Sequence, residues 1–171
     1  HPELRSRVFQ ASKSGRRDYA GAWADLETSL ANLHTGHLDL WQIHDLRSWE
    51  DVEAIEGPSG ALDAFREAKR QGKAGRIGVT GHHDPAVLTH AVENWPVDSV
   101  LLPVNPVEGV LGGFLDGTLP AAQERGLAVI GMKVLGAGNF LAPRAGITAE
   151  LLIRYALSWP VTLVIVGCSL P

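Results

Sequence analysis

The stretch HLDLWQIHDL, residues 37–46, indicates the fold class of the chain. Five of its ten residues are leucine, isoleucine or tryptophan, which is apolar enough for a strand that is covered on both faces. It nevertheless ends with an imidazole and a carboxylate, at His44 and Asp45. Polar groups at the end of a buried strand are typical of parallel β/α proteins, in which the carboxyl ends of the strands line the functional crevice.

Similar apolar stretches recur along the chain and alternate with helical patterns. We predict strands at residues 7–13, 37–46, 76–81, 98–104, 127–134 and 162–167. Helical spacing of apolar residues, with capping residues at the ends, predicts helices at residues 19–33, 59–71, 84–95, 118–126 and 148–159. The segment between the second strand and the second helix, through Trp49 and Glu56, is expected to be a polar connection. The alternation predicts an α/β protein with a parallel sheet.

Six strands leave two geometries open. A doubly wound open sheet fits the count, but its nucleotide-binding form usually carries a G-x-G-x-x-G turn after the first strand, and residues 12–18 read SKSGRRD instead. A (β/α)8 barrel of the TIM type needs eight strands and typically about 250 residues. The 171-residue chain is about two β/α units short of that.

Composition excludes several classes of function. The chain has 45% hydrophobic and 20% charged residues, as an ordinary soluble, single-domain protein has. A net charge of −4 provides no basic surface for nucleic acid or anionic lipid. No apolar run approaches the roughly 20 residues that cross a bilayer. A single cysteine, Cys168, excludes an internal disulfide and fits a reducing compartment, so we expect a cytoplasmic protein.

Lys13 and His44 are the first two candidate site residues, because each ends a predicted strand. Lys13 is either a desolvated lysine whose ammonium faces the crevice or a surface lysine with an apolar stem. His44 could polarise a carbonyl or share a proton near neutral pH, or it could be a satisfied core histidine. We expect the neighbouring Asp45 to be solvated.

The segment TGHHDP, residues 80–85, raises the question of a metal. Adjacent side chains of an extended segment point to opposite sides, so we expect that His82 and His83 do not ligate one metal, and we predict no metal site. The alternative is a purely structural role, in which the segment is a loop and Asp84 begins the next helix. The glycine-containing loop after residue 133 and the turn at Asn105 could contact a ligand or could be turns alone.

Taken together, these segments resemble the aldo-keto reductase family over nearly the whole chain. VFQASK, residues 8–13, is similar to that family's third barrel strand, and LDLWQIHDL, residues 38–46, is similar to its fourth. GKAGRIGVTGHHDP, residues 72–85, resembles the fifth strand segment. VDSVLLPVNPVE, AVIGMKVLGAG and LLIRYALSWPVTLVIVG resemble strands six to eight of a bacterial subgroup.

The resemblance implies a (β/α)8 barrel that binds NADP(H), with NAD(H) as an open alternative, and transfers hydride between the nicotinamide and a carbonyl or alcohol substrate. Family members use an Asp, Tyr, Lys and His tetrad, in which Lys13 matches the lysine and His44 matches the histidine. The implied cofactor contacts are Thr80, Gly81, Asn105, Met132 and Lys133. Gly81 replaces the family's asparagine, and Leu101 stands where many members have glutamine.

The resemblance therefore predicts that residues 1–171 form one partial barrel domain. This domain would lack the first two strands and the C-terminal phosphate-binding segment of the family. The tyrosine and aspartate of the tetrad would precede this chain, so we expect it to be a poor catalyst on its own, and its open sheet edges could support self-association. Two alternatives remain. One is a non-catalytic barrel fragment or binding subunit, and the other is a metal-dependent barrel hydrolase that uses His44, His82 or His83.

Overall fold

Six parallel strands form one sheet, and each strand pairs with its neighbours in chain order. The computed structural model describes residue 5 and residues 7–167, so Cys168 lies outside the described residues. The strands are β1 (Ala11–Ser14), β2 (Leu38–Leu46), β3 (Ala74–Gly81), β4 (Ser99–Pro103), β5 (Ala128–Met132) and β6 (Leu163–Val164). Pairing in strict chain order has no switch point, so it favours an incomplete (β/α)8 barrel over a doubly wound sheet.

Seven α-helices connect or follow the strands in the described part of the chain. They are α1 (Tyr19–Asn32), α2 (Trp49–Glu56), α3 (Ala61–Arg70), α4 (Pro85–Asn94), α5 (Pro106–Leu111), α6 (Leu119–Glu124) and α7 (Ala149–Ser158). A π-helical turn at Phe114–Thr118 leads into α6. None of the helices in these residues is both long and apolar enough to cross a membrane.

The predicted capping residues begin and end the helices as their chemistry requires. Asp18 accepts a hydrogen bond from the backbone N–H of Gly21 at 2.7 Å, which fixes the start of α1. Asp84 accepts from the N–H of Ala86 at 2.8 Å at the start of α4. Past the end of α3, Gly72 has a φ of 73°, a left-handed conformation in which glycine carries no Cβ penalty.

The core lies between the sheet and the helices that cover its outer face. Trp41 and Ile43 of β2 are completely buried, and the Trp41 ring stacks on Phe65 of α3 with centroids 3.6 Å apart. Gln42, between them, points to the opposite face and is also buried. This alternation follows from the pleat of the strand. Lys13, Gln42 and their neighbours therefore lie on the inner face of the incomplete barrel.

Three segments before the last strand differ from the prediction. Residues 49–56 form a helix, because the Ser48 side chain caps the N–H of Asp51 and acidic residues occupy the first turn. Residues 7–10 are not part of β1, and Val8 and Phe9 are exposed there. The helix α5 was not predicted; it begins at a proline after the Asn105 cap.

The sixth strand is shorter than predicted, with two residues instead of six. β1 and β6 are the two edge strands of the sheet, as expected for a barrel that is not closed. Self-association through these edges stays a prediction.

Candidate functional site

The register of the sheet brings the carboxyl ends of the strands to one edge. Lys13, Gln42, Gly78, Ser99 and Ala128 form one row of paired residues across β1 to β5. Polar residues that follow this row within a few positions therefore share that edge, which we call the strand-end edge. The predicted site residues of β1 to β5 lie along it.

Lys13 and His44 lie on neighbouring strands of the strand-end edge. Lys13 pairs in register with Gln42, and His44 follows two positions later on the same face of the sheet. Both side chains are exposed, so the stem of Lys13 is not desolvated here. The structure thus brings the two predicted catalytic side chains to the same face of adjacent strands.

The surroundings of His44 favour its neutral form. Partial burial lowers its pKa; the Asp45 carboxylate opposes that change, but the positive charges of Lys13 and Arg17 add to it, so that the pKa lies below its ordinary value of 6.5. At pH 7 the imidazole is therefore mainly uncharged. One ring nitrogen then donates a hydrogen bond and the other accepts one.

Asp45 occupies a bulge at the end of β2, where the pairing with β3 shifts between Ile43 and Leu46. Its φ is 58°, in the left-handed region that residues other than glycine seldom occupy. The side chain is only 13% exposed, so our expectation that Asp45 is solvated was wrong. The Thr80 hydroxyl accepts a hydrogen bond from the Asp45 N–H at 2.8 Å, which stabilises this backbone conformation.

Arg17, which precedes α1, holds the backbone of the same segment. Its Nη1 and Nη2 donate to the carbonyl oxygens of His44 and Asp45 at 2.8 and 2.7 Å. Its Nε and Nη2 also donate to the two carboxylate oxygens of Asp51, both at 2.9 Å. The Arg17 side chain therefore ties the end of β2 to the start of α2 through four hydrogen bonds.

His82 and His83 lie side by side against Asp45. Their ring centroids are 4.2 Å apart, and their Nε2 atoms lie 3.1 and 3.2 Å from Oδ1 of Asp45. Our expectation that the two rings point to opposite sides was wrong. β3 ends at Gly81, so the alternation of an extended strand no longer holds for the two residues that follow.

Charge around this cluster shifts two of its pKa values. Burial works against ionisation of Asp45, but the hydrogen bonds from Arg47 and the charge of His82 lower its pKa overall, so the carboxylate is ionised at neutral pH. Burial lowers the pKa of His82, and the nearby Lys133 ammonium lowers it further. The Lys133 Nζ lies 3.1 Å from Nδ1 of His82.

The remaining predicted cofactor residues have observable structural roles. Asn105 caps α5, since its Oδ1 accepts from the N–H groups of Val107 and Glu108 at 3.0 and 3.1 Å. Gly81 packs closely, and a Cβ there would lie 3.1 Å from the carbonyl oxygen of Leu46. Cofactor contacts at these two positions stay predictions.

Met132 and Lys133 mark the end of β5, where the chain turns sharply. Met132 pairs with Pro103, and Lys133 follows with a φ of 55°. A cleft of about 510 Å³ opens beyond them, within the range of small-molecule sites. It is lined by Lys133, Val134, Leu135, Ala137, Gly138, Leu141, Ile165, Val166 and Gly167.

Arg17, Arg47 and Asp51 were not singled out from the sequence, although they position the end of β2. Arg47 follows Asp45 by two residues and pairs with its Oδ2. The only sequence signal is that Arg17 and Arg47 stand next to predicted element boundaries. Their partners are separated by up to 34 residues, which no local pattern indicates.

Comparison with known proteins identifies relatives over most of the chain. The model of the Aldo/keto reductase family matches residues 5–146. The uncharacterized oxidoreductase YcsN of Bacillus subtilis is 27% identical over 141 residues, which are 81% of this chain and 42% of that protein. Protein tas of Escherichia coli is 27% identical over 127 residues, covering 67% of this chain and 37% of that protein. The chain thus spans about two fifths of the length of these relatives.

Solved structures agree with the barrel-type fold. The holo form of an aldo-keto reductase from Bacillus halodurans superposes with a TM-score of 0.74 at 21% identity, covering 96% of this chain and 64% of that one. An aldo-keto reductase from Klebsiella pneumoniae in complex with NADPH gives a TM-score of 0.71 at 22% identity, covering 96% of this chain and 61% of that one.

Proposed function

The chain belongs to the aldo/keto reductase family, and we propose that it is part of an NADP(H)-dependent oxidoreductase. This enzyme would interconvert a small-molecule carbonyl compound and the corresponding alcohol. One observation carries the proposal. Lys13 and His44 lie on the same face of adjacent strands at the strand-end edge. A cation and a neutral imidazole on one face can both interact with a single carbonyl oxygen.

The residues at this edge fit a nicotinamide dinucleotide. The Thr80 hydroxyl accepts from a backbone N–H but keeps its own proton, so it can donate to a carboxamide oxygen. The cleft beyond β5 combines apolar walls from Val134, Leu135 and Leu141 with the ammonium of Lys133, a combination that suits an anionic nucleotide. Bound NADP(H) would supply or accept the hydride.

His44 and Lys13 have distinct roles in the proposed reaction. The depressed pKa of His44 keeps its imidazole neutral, so that one N–H can hydrogen-bond to the carbonyl oxygen and orient it. The Lys13 ammonium brings a full positive charge to the same face. Negative charge that develops on the oxygen during reduction is stabilised by both groups, which is the largest contribution that fixed polar groups usually make.

The proton donor for the alkoxide does not come from the two tyrosines of this chain in the positions they occupy. Tyr19 lies on α1 and stacks against Trp23, and Tyr155 lies on α7 in edge contact with Trp159. We therefore propose that the 171-residue chain binds the cofactor but turns over slowly. Lack of a positioned general acid lowers the rate by about 10²- to 10⁴-fold.

Cofactor titration tests the binding half of this proposal. NADPH and NADH are titrated separately into the purified chain, and the fluorescence of its five tryptophans is followed. We expect saturable quenching by NADPH and weaker binding in Lys133→Met. Lys69→Met is the matched control, because Lys69 is also exposed but pairs with Asp98, which directly precedes β4 at the opposite end of the strand from the strand-end edge. Absence of saturable binding by either cofactor would refute the proposal.

Turnover tests the catalytic half. With NADPH and benzaldehyde as probes, we expect turnover well below the roughly 1 s⁻¹ that marks the low end of ordinary enzymes. His44→Leu should lower the residual rate by roughly 10²-fold, since leucine has no donor for the developing oxyanion. Cofactor affinity should stay unchanged in this variant. A His44→Leu protein as active as the parent would contradict the role of His44.

A further inference from the structure

Asp45, His82 and His83 form a cluster that the proposed hydride transfer does not use. Their ligand atoms all lie within 4.8 Å of one another, at the carboxyl ends of β2 and β3. The two Nε2 atoms are 3.1 and 3.2 Å from the same carboxylate oxygen, Oδ1 of Asp45. Three potential ligands thus converge from two separate segments of the chain.

Oδ1 of Asp45 is buried and forms no hydrogen bond with any described residue. Both imidazole Nε2 atoms are near enough to donate, but neither ring is oriented for an N–H to point at this oxygen. A buried carboxylate oxygen without a partner is costly, and native structures seldom leave one. A cation between the three atoms would satisfy the oxygen and both ring lone pairs at once.

We propose that Asp45, His82 and His83 bind a divalent transition-metal ion of the zinc class. Two imidazole nitrogens and one carboxylate oxygen are a ligand set that zinc accepts. Calcium and magnesium prefer oxygen ligands alone, so this set discriminates against them. With three protein ligands, a four-coordinate ion keeps one position for water or a substrate oxygen.

The chain holds the carboxylate ligand in place before any metal binds. Oδ2 of Asp45 pairs with Arg47, which leaves Oδ1 as the free ligand atom. The backbone N–H donates to Thr80 at 2.8 Å, and the backbone carbonyl accepts from Arg17 at 2.7 Å. Such anchoring of a ligand by hydrogen bonds outside the site is typical of metal sites.

The histidine ligands are likewise held between two fixed points. They follow Gly81, the buried last residue of β3, and precede Asp84, whose side chain caps α4 at 2.8 Å from the Ala86 N–H. Two consecutive residues must therefore bridge the strand and the helix. This short connection places both rings on the Asp45 side.

One contact of His82 disfavours metal binding and suggests a further variant. Lys133 Nζ lies 3.1 Å from Nδ1 of His82. A ligating histidine needs an acceptor at its second nitrogen, and an ammonium can only donate. Lys133 is exposed, so its side chain can turn away when the metal binds, but its charge still weakens binding. Replacing Lys133 by glutamine supplies an acceptor and removes the charge.

Zinc titration by calorimetry tests the proposal, with Mg²⁺ as the comparison ion. We expect one equivalent of Zn²⁺ to bind at micromolar concentration and Mg²⁺ not to bind. His83→Ala and His82→Ala should each lower the Zn²⁺ affinity by more than about 100-fold. This exceeds the usual effect of changing a residue that supports the ligands without binding the metal. Lys133→Gln should raise the Zn²⁺ affinity by about 10-fold.

His90→Ala is the matched control, because His90 has a similar exposure and also faces a carboxylate, Glu56, but belongs to no cluster of three potential ligands in the described part of the chain. Zn²⁺ affinity should be unchanged in this variant. Co²⁺ is the second probe, since its visible absorption reports nitrogen and oxygen ligands directly, and far-UV circular dichroism checks that each variant is folded. The proposal is overturned if the parent takes up no Zn²⁺, or if folded His83→Ala binds it as the parent does.

These readouts do not depend on the proposed oxidoreductase activity. Zinc binding without saturable binding of either nicotinamide cofactor would uphold the metal site and contradict the proposed function. NADPH binding and carbonyl reduction without zinc binding would do the reverse.

Discussion

Replacing Arg17 by methionine should destabilise the fold and release the end of β2. The side chain donates four hydrogen bonds, two to the Asp51 carboxylate and two to the carbonyl oxygens of His44 and Asp45, at 2.7 to 2.9 Å. Arg17 and Asp51 are each about one-fifth exposed, so water screens them only in part. Methionine keeps the length of the stem and loses all four bonds.

The expected loss follows from these contacts. Each hydrogen bond to or from a charged group contributes about 1.5 to 3 kcal/mol, but the four share one guanidinium and are not additive. Breaking a fully buried ion pair costs about 3 to 5 kcal/mol, and this pair is partly exposed. We therefore expect Arg17→Met to lower the free energy of unfolding by about 2 to 4 kcal/mol.

Urea denaturation followed by far-UV circular dichroism measures this loss. Arg66→Met is the control, because Arg66 pairs with Asp63 at 3.1 Å and both of these side chains are more than half exposed. Such a pair contributes about 0 to 1 kcal/mol. Equal unfolding free energies for Arg17→Met and Arg66→Met would refute the assigned role of Arg17.

The same pair predicts a dependence on pH. Hydrogen bonds from Arg17 lower the pKa of Asp51 below its ordinary value of 3.8, although burial opposes them. The unfolded chain therefore takes up the proton first, and the stabilisation is fully present above the ordinary value and is lost as the pH falls through the folded-state value. The difference between the parent and Arg17→Met should shrink in that acidic range. A difference that stays constant down to strong acid would contradict this linkage.

Two further substitutions test the packing that supports the strand-end edge. Gly78→Ala should lower the free energy of unfolding, measured by urea denaturation, by about 1 to 3 kcal/mol, because the added Cβ would lie 2.4 Å from Oγ of Ser99. Gly75→Ala on the same strand is the control. Its added Cβ would lie 3.4 Å from the nearest atom, so the loss of stability should be smaller. Phe65→Ala should cost about 3 to 5 kcal/mol in the same assay, because it removes a buried ring stacked on Trp41, and a loss below 1 kcal/mol would contradict the observed core.

Local sequence signals were sufficient for most of the fold. The periodicity of apolar residues located all six strands and the longer helices, and side chains such as Asp18 and Asp84 cap the helices that they were predicted to begin. Failures occurred where the local pattern is weak. Residues 49–56 carry only two buried positions, Val52 and Ile55, so the helix depends on its Ser48 cap and acidic first turn more than on an apolar stripe.

The candidate site was predictable in position and not in orientation. Parallel pairing puts residues after each strand at one edge, so Lys13 and His44 could be expected there. The direction of Asp45 could not, because its left-handed backbone depends on Thr80, 35 residues away, and on Arg17, 28 residues away. Alternation along an extended strand predicts the wrong side for a residue in a bulge.

The bulge at Asp45 links stability with both proposed activities. It turns the carboxylate towards His82 and His83 while His44 stays beside Lys13, so one backbone distortion separates a metal-ligating group from a carbonyl-binding group. Without it, residues 44 and 45 would continue the alternation of the strand and Asp45 would face the helices. Because Arg17 binds the carbonyl oxygens of both residues, its loss should disturb both orientations together. Arg17→Met should therefore weaken Zn²⁺ binding in the folded protein as well as its stability, although Arg17 has no ligand atom in the cluster.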